Sequence, residues 1–127
     1  MQLLHSAYIR IPLTNGNDGR GNKWFRTAKV RREFADYLAT ENLKRQPFEH
    51  PVSLRIVRLI GRNQRRFDED SLLRGNSKEL IDALVEAGWF KDDSPNYILQ
   101  VLGSQELDRE NGAAIRVEVY DDYFFKG

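Results

Sequence analysis

Residues 52–60 read VSLRIVRLI. The run is rich in β-branched residues and becomes apolar on both faces toward its end, as a strand flanked by neighbours on both sides requires. A central strand this early in a chain of 127 residues sets the rest of the fold, because everything before and after it must pack on one sheet. Upstream, residues 2–12 alternate, with Leu3, His5, Ala7, Ile9 and Ile11 on one face, and predict a half-buried strand that stops at Pro12. Residues 97–103, YILQVLG, and 114–120, AIRVEVY, predict two more strands, the second with Ile115, Val117 and Val119 turned inward. SQELDRENG between them reads as a polar turn.

Two helical patterns separate these strands. Thr27 is placed to cap a helix to about Leu43, with Val30, Phe34 and Leu38 spaced by four and Tyr37 beside them. Asn76 or Ser77 starts a second helix, SKELIDALVEAG, which buries Leu80, Ile81, Leu84 and Val85 and ends on Gly88 as its C′ glycine. WFKDDSPN, residues 89–96, reads as a turn. The resulting order, β-α-β-α-β-β, predicts one α+β domain over 1–127, a mixed sheet packed by two helices. It includes a loop at 13–26 and a short aromatic tail at 121–127.

Composition narrows the chemistry. There is no cysteine, and the two histidines, His5 and His50, are far apart. A thiolate zinc site is excluded and a His-based triad disfavoured, so any metal would be held by oxygen. No stretch approaches the roughly 20 apolar residues of a membrane span. The N-terminus lacks a signal peptide's cationic start and apolar core. The expectation is a cytoplasmic protein with no membrane partner. Residues 1–66 hold 14 Lys+Arg against 5 Asp+Glu, and residues 67–127 hold 6 against 14. The halves therefore carry +9 and −8, and the change of sign falls within RRFDEDS, residues 65–71. A basic half points to a polyanion. The loop at 13–26 mixes Arg20, Lys23 and Arg26 with Trp24 and Phe25, as backbone phosphates and unstacked bases require. An ordinary loop anchored by its aromatics has the same composition. Lys29, Arg31 and Arg32, early in the first helix, oppose its macrodipole unless they face an anion.

Asp68 and Asp70 lie two apart, on one side of an extended segment, where two carboxylates can share a hard divalent cation. An Asp-x-Asp pair is common by chance. A calcium loop beginning at Asp68 fails, since Leu72 and Leu73 replace the fifth ligand and the turn glycine. An aspartyl-nucleophile phosphatase would place the pair straight after its strand, and here RNQRR, residues 62–66, intervenes. Charge balance against Arg65 and Arg66 remains an alternative. Asp92 and Asp93 form a second pair, which by composition is equally a turn. Lys78 by itself reads as an exposed first-turn lysine, four residues from Asp82.

Read as one unit, DEDSLLRGNSKELIDALVEAGWFKDDSPNY (68–97) resembles the signature of the RusA family of Holliday-junction resolvases, found largely in bacteria and their prophages. The matching positions are Asp68, Asp70 and Leu72, then Lys78, then Asp82-Ala83-Leu84, Ala87-Gly88 and Asp92-Asp93. The front of the chain is similar more loosely, and the resemblance spans roughly residues 5–120. It implies a RusA-like fold and a homodimeric, Mg²⁺-dependent endodeoxyribonuclease, with Mn²⁺ as a substitute metal and no small-molecule cofactor. Such an enzyme resolves four-way DNA junctions by paired nicks in recombination and repair. It also implies that Asp68, Asp70 and Asp93 hold the metal, with Asp92 able to replace Asp93, and that Lys78 sits by the scissile phosphate. Arg20, Lys23, Trp24, Arg26, Lys29, Arg32, Arg65 and Arg66 would then hold the branched DNA. The family's asparagine after the second aspartate is Ser71 here, which leaves a second expectation: a module that grips branched DNA without cutting it.

Overall fold

The computed structural model describes residues 1–14, 23–66, 73 and 75–125, and of residues 23–26 the backbone alone. Four strands and two helices are built from them: β1 (Leu3–Ile9), α1 (Lys23–Thr40), β2 (Val52–Ile60), α2 (Ser77–Glu86), β3 (Ile98–Leu107) and β4 (Ala114–Tyr120). The sheet order is β1-β4-β2-β3. β4 lies antiparallel to both β1 and β2, and β2 runs parallel to β3. A parallel pair cannot be joined by a hairpin, and α2 supplies the crossover. The order of elements and the mixed sheet are those the sequence predicts. No helix among the described residues is long and apolar enough to cross a membrane.

The alternation in the strands places the core. Ala7 and Ile9, Leu54 and Ile56, and Ile115, Val117 and Val119 share one face of the sheet and pack with Phe34 and Leu38 of α1 and Leu80, Ala83 and Leu84 of α2. Trp89 and Phe90 join this cluster. The segment 89–96 therefore begins in the core, although its composition reads as a turn. Trp89 is fully buried, donates its indole N–H to the Leu43 carbonyl at 2.7 Å and meets His5 edge-on at 4.8 Å. Truncating a buried tryptophan of this kind costs about 3–5 kcal/mol.

Both helices end in the same hydrogen-bonded motif. In α1, Leu43 N–H donates to Leu38 O and Asn42 N–H to Ala39 O, with Asn42 in the left-handed region at φ 57°. In α2, Trp89 N–H donates to Leu84 O and Gly88 N–H to Val85 O, with Gly88 at φ 91°. Each satisfies carbonyls that the last turn leaves open. A side chain on Gly88 is excluded twice, since its Cβ would also collide with the Arg45 carbonyl oxygen.

Three boundaries differ from the sequence reading. α1 begins at Lys23, so Thr27 lies inside the helix rather than capping it, and Lys23, Trp24, Phe25 and Arg26 belong to its first turn rather than to a loop. Lys29, Arg31 and Arg32 then sit beyond the first turn, where the macrodipole argument loses its force. β3 continues through Ser104, Gln105 and Glu106, which read as a turn. Their polar side chains find partners on β2 and, one strand further, on β4: Ser104 Oγ accepts from Arg55, Gln105 Oε1 from Arg58, and the Glu106 carboxylate from Arg116. In the tail, Phe124 meets Tyr120 edge-on at 5.2 Å, while Phe125 is exposed.

Candidate nucleic-acid and metal site

The acid-bearing segment leaves the sheet at the end of β2. There Gly61 lies so close to Gly112 that a Cβ on either would come within 2.6 Å of the other's backbone. Gly61 N–H donates to Gln64 Oε1 at 2.8 Å, and Asn63 turns the chain in the left-handed region at φ 64°. Arg65 and Arg66 follow, exposed. Beneath them lies Arg58, whose Nη1 donates to Arg65 O at 2.8 Å and to Gln105 Oε1 at 3.0 Å. Register pairs Arg58 with the core residue Ile115, so this guanidinium occupies the helix-side face, 4% exposed. The inward face of β2 is thus not apolar to its end. Burial lowers the pKa of Arg58 from its ordinary value, though an arginine keeps its charge at any physiological pH.

Asp68, Asp70 and Ser71 lie outside the described residues, as does Arg20; the side chains of Lys23, Trp24, Phe25 and Arg26 do also. The far end of the acidic segment returns at Leu73, whose carbonyl accepts from Ser77 Oγ at 2.5 Å. Asn76 donates through its amide to Thr14 Oγ1 at 2.5 Å and through its backbone to Thr14 O at 3.2 Å. It makes no side-chain cap for α2. The start of the basic segment after Thr14 is therefore tied to the end of the acidic one.

Lys78 and Asp93, fifteen positions apart, line one cleft of about 270 Å³ together with Leu73, Ser77, Ile81, Ile98 and Val101. The floor is apolar, and the lysine and the carboxylate, both exposed, bring the polar chemistry. Among the described residues Lys78 makes no ion pair with Asp82; the ion pairs there all involve Arg55 or Arg116. Asp93 also borders a second cleft, of about 360 Å³, with Arg31, Asp82, Val85, Glu86 and Asp92. Arg31 thus borders an acidic stretch of its own chain, without an ion pair to it among the described residues.

The two acids of the 92–93 pair differ. Asp92 Oδ1 accepts from the backbone N–H of Ser94 at 2.7 Å, closing an Asx turn. Hydrogen bonds from the Ser94 side chain and backbone hold its carboxyl below the usual carboxylate range. Asp93 borders both clefts and has no such engagement among the described residues. In the first turn of α2, Glu79 Oε2 is buried without a hydrogen-bond partner among the described residues. Also among the described residues, no three or more His, Asp or Glu side chains converge to hold a metal ion. Lys29 and Arg32 are exposed on α1.

Sequence reasoning missed Arg58, Gln105 and Ser77. The signal for Arg58 was present: it is the one charged residue at an inward position of an otherwise apolar strand. No protein-family model and no curated protein matches the chain.

Proposed function

We propose that this chain is a Mg²⁺-dependent, structure-selective DNA endonuclease that nicks four-way junctions as a homodimer, on a RusA-like fold. The observation that supports the reading is the cleft lined by both Lys78 and Asp93 together with Leu73, the residue at which the acidic segment returns. Lys78 and Asp93 come from opposite ends of α2, and the resemblance assigns both to one reaction. The donor set also suits the metal. Every candidate ligand is a hard oxygen, and Mg²⁺ takes one or two carboxylates together with waters and substrate phosphate oxygens. Asp68, Asp70 and Asp93 would hold it; Asp92 suits this less well, because one of its oxygens already closes a turn. Bound there, the metal supplies water activation and neutralises charge that develops on the phosphate. Lys78 contributes a fixed positive charge toward a phosphate oxygen. Arg65 and Arg66, exposed at the start of the acidic segment, suit flanking phosphates.

A cleavage assay tests this: an immobile four-way junction and a matched duplex, with and without Mg²⁺, with Asp70→Asn as control. Paired nicks in the junction alone, dependent on Mg²⁺ and lost in the variant, are expected. Equal cleavage of duplex, or none of either, contradicts the reading. Ser71 favours one second reading, a module that binds junctions without cutting, because serine lacks the paired contacts of an amide. Junction binding without nicks, with cleavage appearing in Ser71→Asn, would identify it.

A further inference from the structure

The cleft that holds Lys78 and Asp93 has a second character. Its floor is aliphatic: Leu73, Ile81, Ile98 and Val101. Ile81 comes from α2 and Val101 from β3, and both are half-buried against the main core. Val101 pairs in register with the core residue Leu54, so it faces the helices. Ser77 also lines the cleft but directs its hydroxyl to the Leu73 carbonyl. No aromatic side chain lines it among the described residues. At about 270 Å³ it lies near the lower end of small-molecule sites, roughly 300–1,000 Å³, with room for one ring system.

A phosphate or a hydrated cation gains nothing from such a floor, because it would lose water there without a hydrogen bond in return. Phosphate contacts also position a nucleic acid without reporting what the bases are doing. Lys78 at a phosphate therefore cannot by itself tell a junction from a duplex. The apolar surface of DNA is the face of its bases, which a continuous duplex keeps stacked. Unstacking costs least where the stack is already interrupted, and an extruded base is held between apolar side chains. The rim suits the same ligand, since an exposed lysine beside an apolar floor matches a nucleotide's phosphate beside its base.

We propose that the floor of this cleft takes the face of one unstacked nucleobase at a branch point, so that Ile81 and Val101 determine the preference for branched DNA. The proposal rests on the nuclease reading, and the test separates the two.

The test uses the full chain and a four-way junction carrying 2-aminopurine in turn at each nucleotide flanking the branch point. A matched duplex carries the same base. Ca²⁺ replaces Mg²⁺, and a gel checks that the strands stay intact. Stacking quenches 2-aminopurine, whereas an aliphatic cleft leaves it bright. Binding should raise fluorescence several-fold at one junction position and not in the duplex. Val101→Phe fills the cleft from β3; it should abolish that rise and cut the ratio of junction to duplex affinity about 10-fold, the scale of one lost base contact. A parent that prefers the junction without any rise overturns the base site and leaves the nuclease reading standing. A rise that persists in folded Val101→Phe also overturns it. A parent that binds junction and duplex alike sinks the nuclease reading and the base site together. If Val101→Phe does not fold, Ile81→Phe fills the cleft from α2 and is read by the same criteria.

Discussion

Two charged regions of this protein use the same residue types to opposite ends. On the sheet face turned away from the helices, the described cations Arg55 and Arg116 both meet anions. Arg55 bonds Glu118 at 3.1 Å, and Arg116 bonds Glu118 at 2.8 Å and both oxygens of Glu106 at 2.7 and 2.8 Å; Tyr120 donates its hydroxyl to Glu118 at 2.9 Å. In the cleft between α2 and β3, Lys78 and Asp93 are exposed, as are Arg65 and Arg66 in the segment that follows β2, and none of the four joins an ion pair among the described residues. The first region is electrostatically complete, and its charges link strands. The second leaves its charges to solvent or to a partner. A net charge of +1 conceals both. Arg55 comes from the basic half of the chain and Glu118 from the acidic half, so folding consumes part of the asymmetry between halves. What remains exposed is the better guide to function.

On the proposed nuclease reading, the contrast predicts that substitutions at the cleft impair junction cleavage and spare stability, while those on the sheet face do the reverse. The largest effect is expected from Asp93→Asn: junction cleavage should fall about 10³-fold, the scale of losing a principal electrostatic element of a site, with an unchanged urea midpoint. Asp92→Asn, which weakens only a turn, should cut at close to the parental rate. Equal losses in the two variants would break the assignment. Glu118→Gln is the mirror case. It leaves Arg55 and Arg116 short of a carboxylate whose side chain is 9% exposed. Removing one partner of a fully buried pair costs about 3–5 kcal/mol, and these partly exposed arginines reduce that to about 2 kcal/mol. The rate per folded molecule should not change.

Smaller effects sharpen the comparison. Alanine at both Arg65 and Arg66 should weaken junction binding and lower the slope of log affinity against log salt by about 2, one for each phosphate no longer neutralised. An unchanged slope, read by fluorescence anisotropy across salt, would return these arginines to ordinary surface. The smallest effect concerns His5. Burial, and secondarily the charge of Arg45, holds its pKa below the ordinary 6.5. The unfolded chain therefore takes up that proton first. Stability is full above pH 6.5 and declines as pH falls from there through the lower folded value. Solvent screening keeps this to about 0.5 kcal/mol or less. His5→Phe retains the edge contact to Trp89 and should flatten that part of the pH profile, as thermal unfolding at several pH values would show.

Much of the fold was legible because its signals are local. The period-two pattern of AIRVEVY marked the inward set of β4, and Gly88 marked the end of α2 through a backbone angle that other residues resist. Failures came where a partner distant in sequence decided the outcome. SQEL reads as a turn until Arg55, Arg58 and Arg116 are brought against it. Trp89 and Phe90 read as turn residues until His5 and Leu43 supply a wall and an acceptor. The start of α1 was misplaced because Thr27 offers a plausible cap inside the helix that begins at Lys23.

The candidate site divides in the same way. Sequence alone supplied the residue types, their spacing, the absence of cysteine, and with these the restriction to oxygen ligands, since donor chemistry belongs to the side chains themselves. Only the tertiary structure brought Lys78 and Asp93 to one cleft and distinguished Asp93 from Asp92. It also tied Asn76 to Thr14 and set Arg58 beneath Arg65. Apart from the local turn at Asp92, those relations join residues 7 to 62 positions apart in sequence. They exist only once the sheet has fixed its register and α2 has crossed from β2 to β3, because a hydrogen bond or a shared cleft depends on positions in space that no local pattern encodes.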